Sequence, residues 1–155
     1  MKNFSRKEIL LTRLFNLSNK IQSLGNMLDS EITMKQGKML EIISQYEAGT
    51  IKITELSELI GSSRQNAKKM ALLLSNQGYL SLTRDEKDAR ILRVALTEKG
   101  IRYCSSHRNT DKRFLNNVFD GFEDKQLKGL IKSFDKLSKN VARMEKNATP
   151  KEPEV

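Results

Sequence analysis

The sequence predicts a mostly α-helical protein with a small β-hairpin wing: a winged helix-turn-helix domain carried between N- and C-terminal dimerisation helices. Three observations predict it. The stretch from Ser62 to Arg90 opens with hydroxyl residues, continues with Ala67, Met70, Ala71 and Leu74 at helical spacing, and stops at Gly78. Past Gly78 the period changes to two: Leu80 and Leu82 alternate with Ser81 and Thr83. Leu92, Val94 and Leu96 then alternate with Arg93 and Ala95, across a charged tip from Asp85 to Arg90. Finally, both ends of the chain carry apolar stripes at coiled-coil-like spacing, more than one small winged domain can cover.

The elements follow in order. Residues 5–28 read as the first helix, with Leu10, Leu14, Leu17, Ile21, Leu24 and Leu28 stepping by three and four and Leu11 and Phe15 widening the stripe. Such a stripe lies either on its own domain or against a second protomer. Thr33 opens the second helix, whose apolar side is Met34, Met39, Leu40, Ile42, Ile43 and Tyr46, and Gly49 ends it. Ile51 and Ile53 flank Lys52 in a one-bridge strand. Thr54 then caps a short helix that buries Leu56, Leu59 and Ile60. Gly61 makes the turn, and Ser62 with Gln65 fits a capping box for the next helix.

After the hairpin, Thr97 caps a long helix that is thinly apolar through Lys112 and regains a stripe at Phe114, Leu115, Val118 and Phe119. Asp120 and Gly121 break it. The last helix runs from Glu123 to about Lys146, with Leu127, Leu130, Phe134, Leu137, Val141 and Met144 on one side. Residues 147–155, with two prolines and alternating charge, read as a disordered tail. The expected organisation is one domain over residues 1–146: a winged helix-turn-helix at 30–97, and dimerisation helices at 5–28 and 98–146.

The 155 residues carry a formal charge of +9, which favours a polyanionic partner without naming it. The single cysteine, Cys104, allows no internal disulfide and suits a reducing cytoplasm. The N-terminus is too charged for a secretion signal, and no apolar run is long enough to span a membrane. No His/Cys cluster has metal-ligand spacing, and no phosphate loop or nucleophile elbow is present. The chain is read as a non-enzymatic cytoplasmic protein without a cofactor.

Charge within the central stretch is uneven. No Asp or Glu falls between Glu58 and Asp85, whereas Arg64, Lys68, Lys69 and Arg84 do. A capped basic helix followed by a basic hairpin implies double-stranded DNA as partner. Gln65 and Asn66, in the first helical turn, have the groups to bond adenine N6 and N7. For either one the alternative is a cap or a phosphate contact. Arg64, Lys68 and Lys69 suit phosphates. Arg90, at the hairpin tip, suits a narrow minor groove; its alternative is a salt bridge to Asp88 or Asp85. Asp88 serves by orienting that arginine. Met39, Tyr46 and His107 are candidate contacts for a small-molecule effector, against the alternatives of plain core and plain surface. Cys104 is either packing or a reactive thiol.

From about residue 5 to 146 the order of parts resembles the MarR family of bacterial transcription regulators. The resemblance rests on ITELSELIG, SSRQNAKKMALLLSNQGYL, the wing RDEKDAR with Arg84, Asp88 and Arg90, and LTEKG with Leu96, Thr97 and Gly100. It implies a homodimer built from the terminal helices on near-palindromic DNA. The helix from Ser63 enters the major groove and Arg90 the minor groove. It further implies a repressor released when a small ligand binds between the dimer helices and the winged domain. The chain departs from the peroxide-sensing members, whose cysteine is near the N-terminus. Two rivals stand beside this reading: a sequence-neutral DNA-associated protein, and a protein-interaction module with no DNA role.

Overall fold

The computed structural model describes residues 4–148. The chain forms two compact units that divide after Phe114.

In the first unit, helix α1 (Arg6–Asn26) is opened by a reciprocal capping box between Ser5 and Glu8. It stops before Leu28, the last residue of the expected stripe. Leu10, Leu11, Phe15, Leu17 and Leu24 are exposed along it. Helix α2 (Met34–Ser44) opens with a second capping box, Thr33 with Gln36. It ends five residues before Gly49, because residues 46–49 close a separate turn from the Gly49 amide to the Tyr46 carbonyl, with Gly49 at φ 69°. Strand β1 (Ile51–Lys52) runs straight into α3 (Ile53–Leu59), whose N-cap is Lys52 with no side-chain bond. The expected cap, Thr54, is therefore already inside the helix.

The turn between α3 and α4 (Arg64–Asn76) corrects the other expected cap. Gly61 sits at φ 63°, so the Gly61 amide reaches the Glu58 carbonyl and the Ser62 amide reaches the Ser57 carbonyl. That pair of bonds is the glycine-dependent closure of α3. Ser62 belongs to it, and Ser63 is the N-cap of α4, its hydroxyl accepting from the Asn66 amide at 3.2 Å. Gly78 (φ 81°) ends α4 in the same manner, with Tyr79 donating to the Leu74 carbonyl.

Strands β2 (Leu80–Arg84) and β3 (Leu92–Leu96) form the expected antiparallel hairpin, and β1 pairs with the other edge of β3, giving the order β1-β3-β2. The core lies where these strands meet α2, α3 and α4. Met39, Leu40, Ile51, Leu56, Leu74 and Val94 are its largest fully buried side chains. Leu59, expected to be buried, is 55% exposed, while Tyr79 is buried.

Helix α5 (Glu98–Val118) starts at Thr97, whose hydroxyl accepts from the Gly100 amide and donates to the Gly78 carbonyl. Gly100 is buried because the Tyr79 carbonyl passes directly against it, inside the radius of any added Cβ. The second unit holds the end of α5, a turn with Gly121 at φ 76°, and α6 (Asp124–Ala148). Among the described residues of α6 none is buried, and Leu130, Ile131, Phe134, Leu137, Val141 and Met144 are exposed. Most of the tail expected at 147–155 lies outside the described residues. Among the described residues no helix is long and apolar enough to cross a membrane.

Candidate nucleic-acid interface

Helix α4 is held by its apolar side. Ala67, Ala71 and Leu74 have no exposed surface, and at about 100° per residue they fix which side chains point outward. Gln65 and Lys69 point away from the core. Lys68 and Arg64 turn toward one flank, and Asn66 toward the other. All five are exposed, as is the cap Ser63. Ser63 is held by its own cap bond, which also fixes the first turn in which Gln65 and Asn66 sit. No acidic side chain occurs on α4, so nothing on the helix neutralises its cations.

The wing is more structured than its sequence suggests. The Asp85 carboxylate accepts from the Lys87 and Asp88 amides and pairs with the Arg93 guanidinium. Those bonds, the Arg93 contact first, hold Asp85 below the usual carboxylate range. Arg93 also reaches the Thr50 hydroxyl at 3.4 Å, so the tip is tied to the turn before β1. Asp85, one of the two salt-bridge partners the sequence offers Arg90, thus builds the loop instead. Arg93 and Thr50 were not singled out from sequence. An ion pair spanning eight residues leaves no periodic signal, and the Thr50 contact spans 43.

Arg84 donates to the Ala89 carbonyl across the loop at 3.1 Å. Arg90 stands almost fully in solvent, its side chain 92% exposed, with Nε 3.1 Å from Asp88. Asp88 also accepts from the Arg90 amide. Its carboxyl is held low by the Arg90 side chain first and then by that amide. The salt bridge considered from sequence therefore exists, and it orients an arginine whose outer face is open.

The three candidate effector contacts occupy different surroundings. Met39 is fully buried in the core. The Tyr46 hydroxyl donates to Glu55 at 2.6 Å. His107 stacks on Tyr103, with centroids 4.0 Å apart, and places Nε2 3.5 Å from Asp29. The Tyr103 hydroxyl donates to the same carboxylate at 2.7 Å, and the Tyr79 hydroxyl donates to Glu31. This cluster ties α5 and the α4–β2 turn to the connection between α1 and α2. Burial pushes the Asp29 carboxyl up, but bonds from the Glu31 amide, the Tyr103 hydroxyl and the Ile32 amide outweigh it and leave it lowered. The Cys104 thiol is pushed up by burial and by the nearby Asp111 and Glu41 carboxylates. That is the opposite of what a reactive thiolate needs.

No family model matches the chain. Among curated proteins it is 28% identical to the HTH-type transcriptional regulator YpoP of Bacillus subtilis over 133 residues, covering 85% of this chain and 91% of that one. It is 26% identical to the transcriptional repressor MprA of Escherichia coli over 148 residues, covering 94% and 84%. Among solved structures, a MarR protein from Peptoclostridium difficile superposes with a TM-score of 0.78 at 23% identity over 93% of both chains. A mutant MarR from E. coli complexed with operator DNA superposes with a TM-score of 0.72 at 21% identity, over 88% of this chain and 99% of that one. The structural matches establish the fold, and the curated relatives extend the likeness along the sequence. The chain therefore has the fold of the MarR-type winged helix-turn-helix regulators, and its curated relatives are HTH-type transcriptional regulators.

Proposed function

We propose that this protein is a cytoplasmic repressor that binds a near-palindromic operator as a homodimer, blocks transcription by occupying it, and is released by a small ligand. The observation that carries the reading is the outer face of α4, six exposed polar or cationic side chains from Ser63 to Lys69 with no acid among them. The core holds that helix rigidly enough to present it as one surface. The terminal helices supply the second half of the argument. Their exposed apolar side chains, from Leu10 to Leu24 on α1 and Leu130 to Met144 on α6, need a partner. A second copy buries them at roughly 25 cal/mol per Å². Two recognition helices about one DNA turn, roughly 34 Å, apart then address two half-sites.

Within each half-site Gln65 is the base reader, since it points outward from the first turn. Arg64, Lys68, Lys69 and Ser63 meet phosphates, and Asn66 faces a flank better suited to backbone than to bases. Arg90, oriented by Asp88, enters the adjacent minor groove, and Arg84 steadies the loop behind it. The reading assigns the chain no catalytic step. For release, His107 is the effector contact we retain, because it sits on the Asp29–Tyr103 junction between α5 and the α1–α2 connection. A ligand that parts this junction changes the separation of the two recognition helices, and both halves no longer dock together. The PcaV transcriptional regulator of Streptomyces coelicolor, which superposes on this chain with a TM-score of 0.77 over 98% of its own length, has been solved with its natural ligand. The test is footprinting on the DNA upstream of the protein's own coding region, with and without competitor. Protection of an inverted repeat supports the reading, and uniform protection favours a sequence-neutral binder.

A further inference from the structure

A cleft opens between α1, the start of α2 and the recognition helix, with a volume of about 590 Å³. Lys35 and Lys38 of α2, Gln22 of α1, and Asn66 and Lys69 of α4 line it, and no carboxylate does. Among the described residues Lys35 and Lys69 make no ion pair, while Lys38 pairs with Glu41 at 2.8 Å. The cleft is therefore cationic, and it is continuous with the face of α4 already assigned to DNA.

We propose that this cleft carries a phosphodiester strand of the operator, with Lys35 and Lys38 as phosphate anchors and Gln22 as a neutral donor beside them. The inference rests on the DNA-binding reading above and extends its footprint to the dimerisation helix. Charge complementarity selects the occupant. A site for a small anion encloses most of its ligand in apolar walls with a few converging polar groups. Here both α2 lysines stand exposed at the rim, which suits a solvated polyanion passing across. With α4 in a major groove, the backbone bordering that groove passes along the helix flanks, and Asn66 and Lys69 place one such flank in the cleft. DNA contact then reaches α1 directly, so a shift of α1 within the dimer is felt by the bound backbone as well as by helix spacing.

The test is a salt titration of binding to a random duplex, using the full chain, Lys35→Gln/Lys38→Gln and Lys35→Arg/Lys38→Arg. Each phosphate contact contributes about 0.9 to the log–log slope. Two lysines in each of two protomers should make the Gln variant's slope shallower by about 2 to 4, while the Arg variant keeps the parent slope. Both substitutions are at exposed positions, so unchanged melting curves are expected and are checked alongside. A Gln variant with the parent slope overturns the proposal and leaves the DNA reading intact. A parent with a flat slope overturns the DNA reading and the proposal together. A Gln variant that keeps the parent slope but loses the parent's inhibition by added inorganic phosphate shows a small-anion site, and also overturns it.

Discussion

Gly100→Ala should destabilise the protein, although it replaces glycine by alanine inside a helix. The helix itself gains about 1 kcal/mol from that change. Against it stands the space available. An ideal Cβ at position 100 lies within contact distance of the Tyr79 carbonyl oxygen and 2.9 Å from Leu96 Cδ2. The carbonyl cannot step aside, because it accepts the Thr97 amide at 3.1 Å and so ties α5 to the hairpin. Overpacking of this kind costs about 1–3 kcal/mol, and more where backbone must move. The net expectation is a loss of about 1–2 kcal/mol, a fall in melting temperature of a few degrees for a chain of this size. Gly129→Ala on α6 is the paired control. Its Cβ meets nothing within 4 Å, it lies off the apolar stripe, and the same substitution should stabilise by up to about 1 kcal/mol. Urea or thermal unfolding at fixed protein concentration measures both. If Gly100→Ala melts at or above the parent, the close approach of Tyr79 to α5 is not what the Leu-Thr-x-x-Gly segment is for.

Gln65→Ala should relax base preference at one position per half-site, costing about 1–3 kcal/mol there, with binding to random DNA unchanged; titration against operator and single-base variants reads it. Arg90→Ala should weaken binding to all duplexes and erase any preference for flanking A·T pairs, and parent-like binding to flank-swapped DNA would reduce Arg90 to a partner for Asp88. Asp29 gives a pH prediction. Its folded carboxyl is held below the ordinary aspartate value of about 3.9. It therefore contributes stability that is present above that value and lost as pH falls through the folded one. Asp29→Asn should melt lower than the parent at neutral pH, and the gap should close as the pH falls below about 4. Equal gaps at pH 7 and pH 3 would remove Asp29 from the account.

Much of this was legible in the sequence because its causes are local. The change of period at Gly78 marks the end of α4 and the start of the hairpin, and both are found there. The acid-free run of the recognition helix is a matter of counting. Caps are less legible. Ser62 and Ser63 both offer a hydroxyl, and Gln65 makes the first look like the partner of a box. The backbone decides for Ser63, because Gly61 has already spent the Ser62 amide on closing α3. Thr54 failed for a related reason: β1 hands its chain directly to α3, so the helix starts before any side-chain cap is needed. The contacts that join separate elements were not legible at all. Tyr103 and Asp29 lie 74 residues apart, and Tyr79 and Glu31 lie 48 apart. Nothing in spacing or composition pairs a tyrosine in a polar helix with an aspartate in a distant turn. The Arg93–Asp85–Thr50 tie that shapes the wing is of the same kind.

The central claim is that α4 reads DNA sequence. The measurement that tests it most directly is a competition titration of the full chain on its own upstream region against excess random duplex, read by footprinting. The account predicts two protected half-sites centred about one helical turn apart, held at least about 10³-fold more tightly than random DNA. Affinity for the two duplexes within a few-fold of each other, with no bounded footprint, would contradict it.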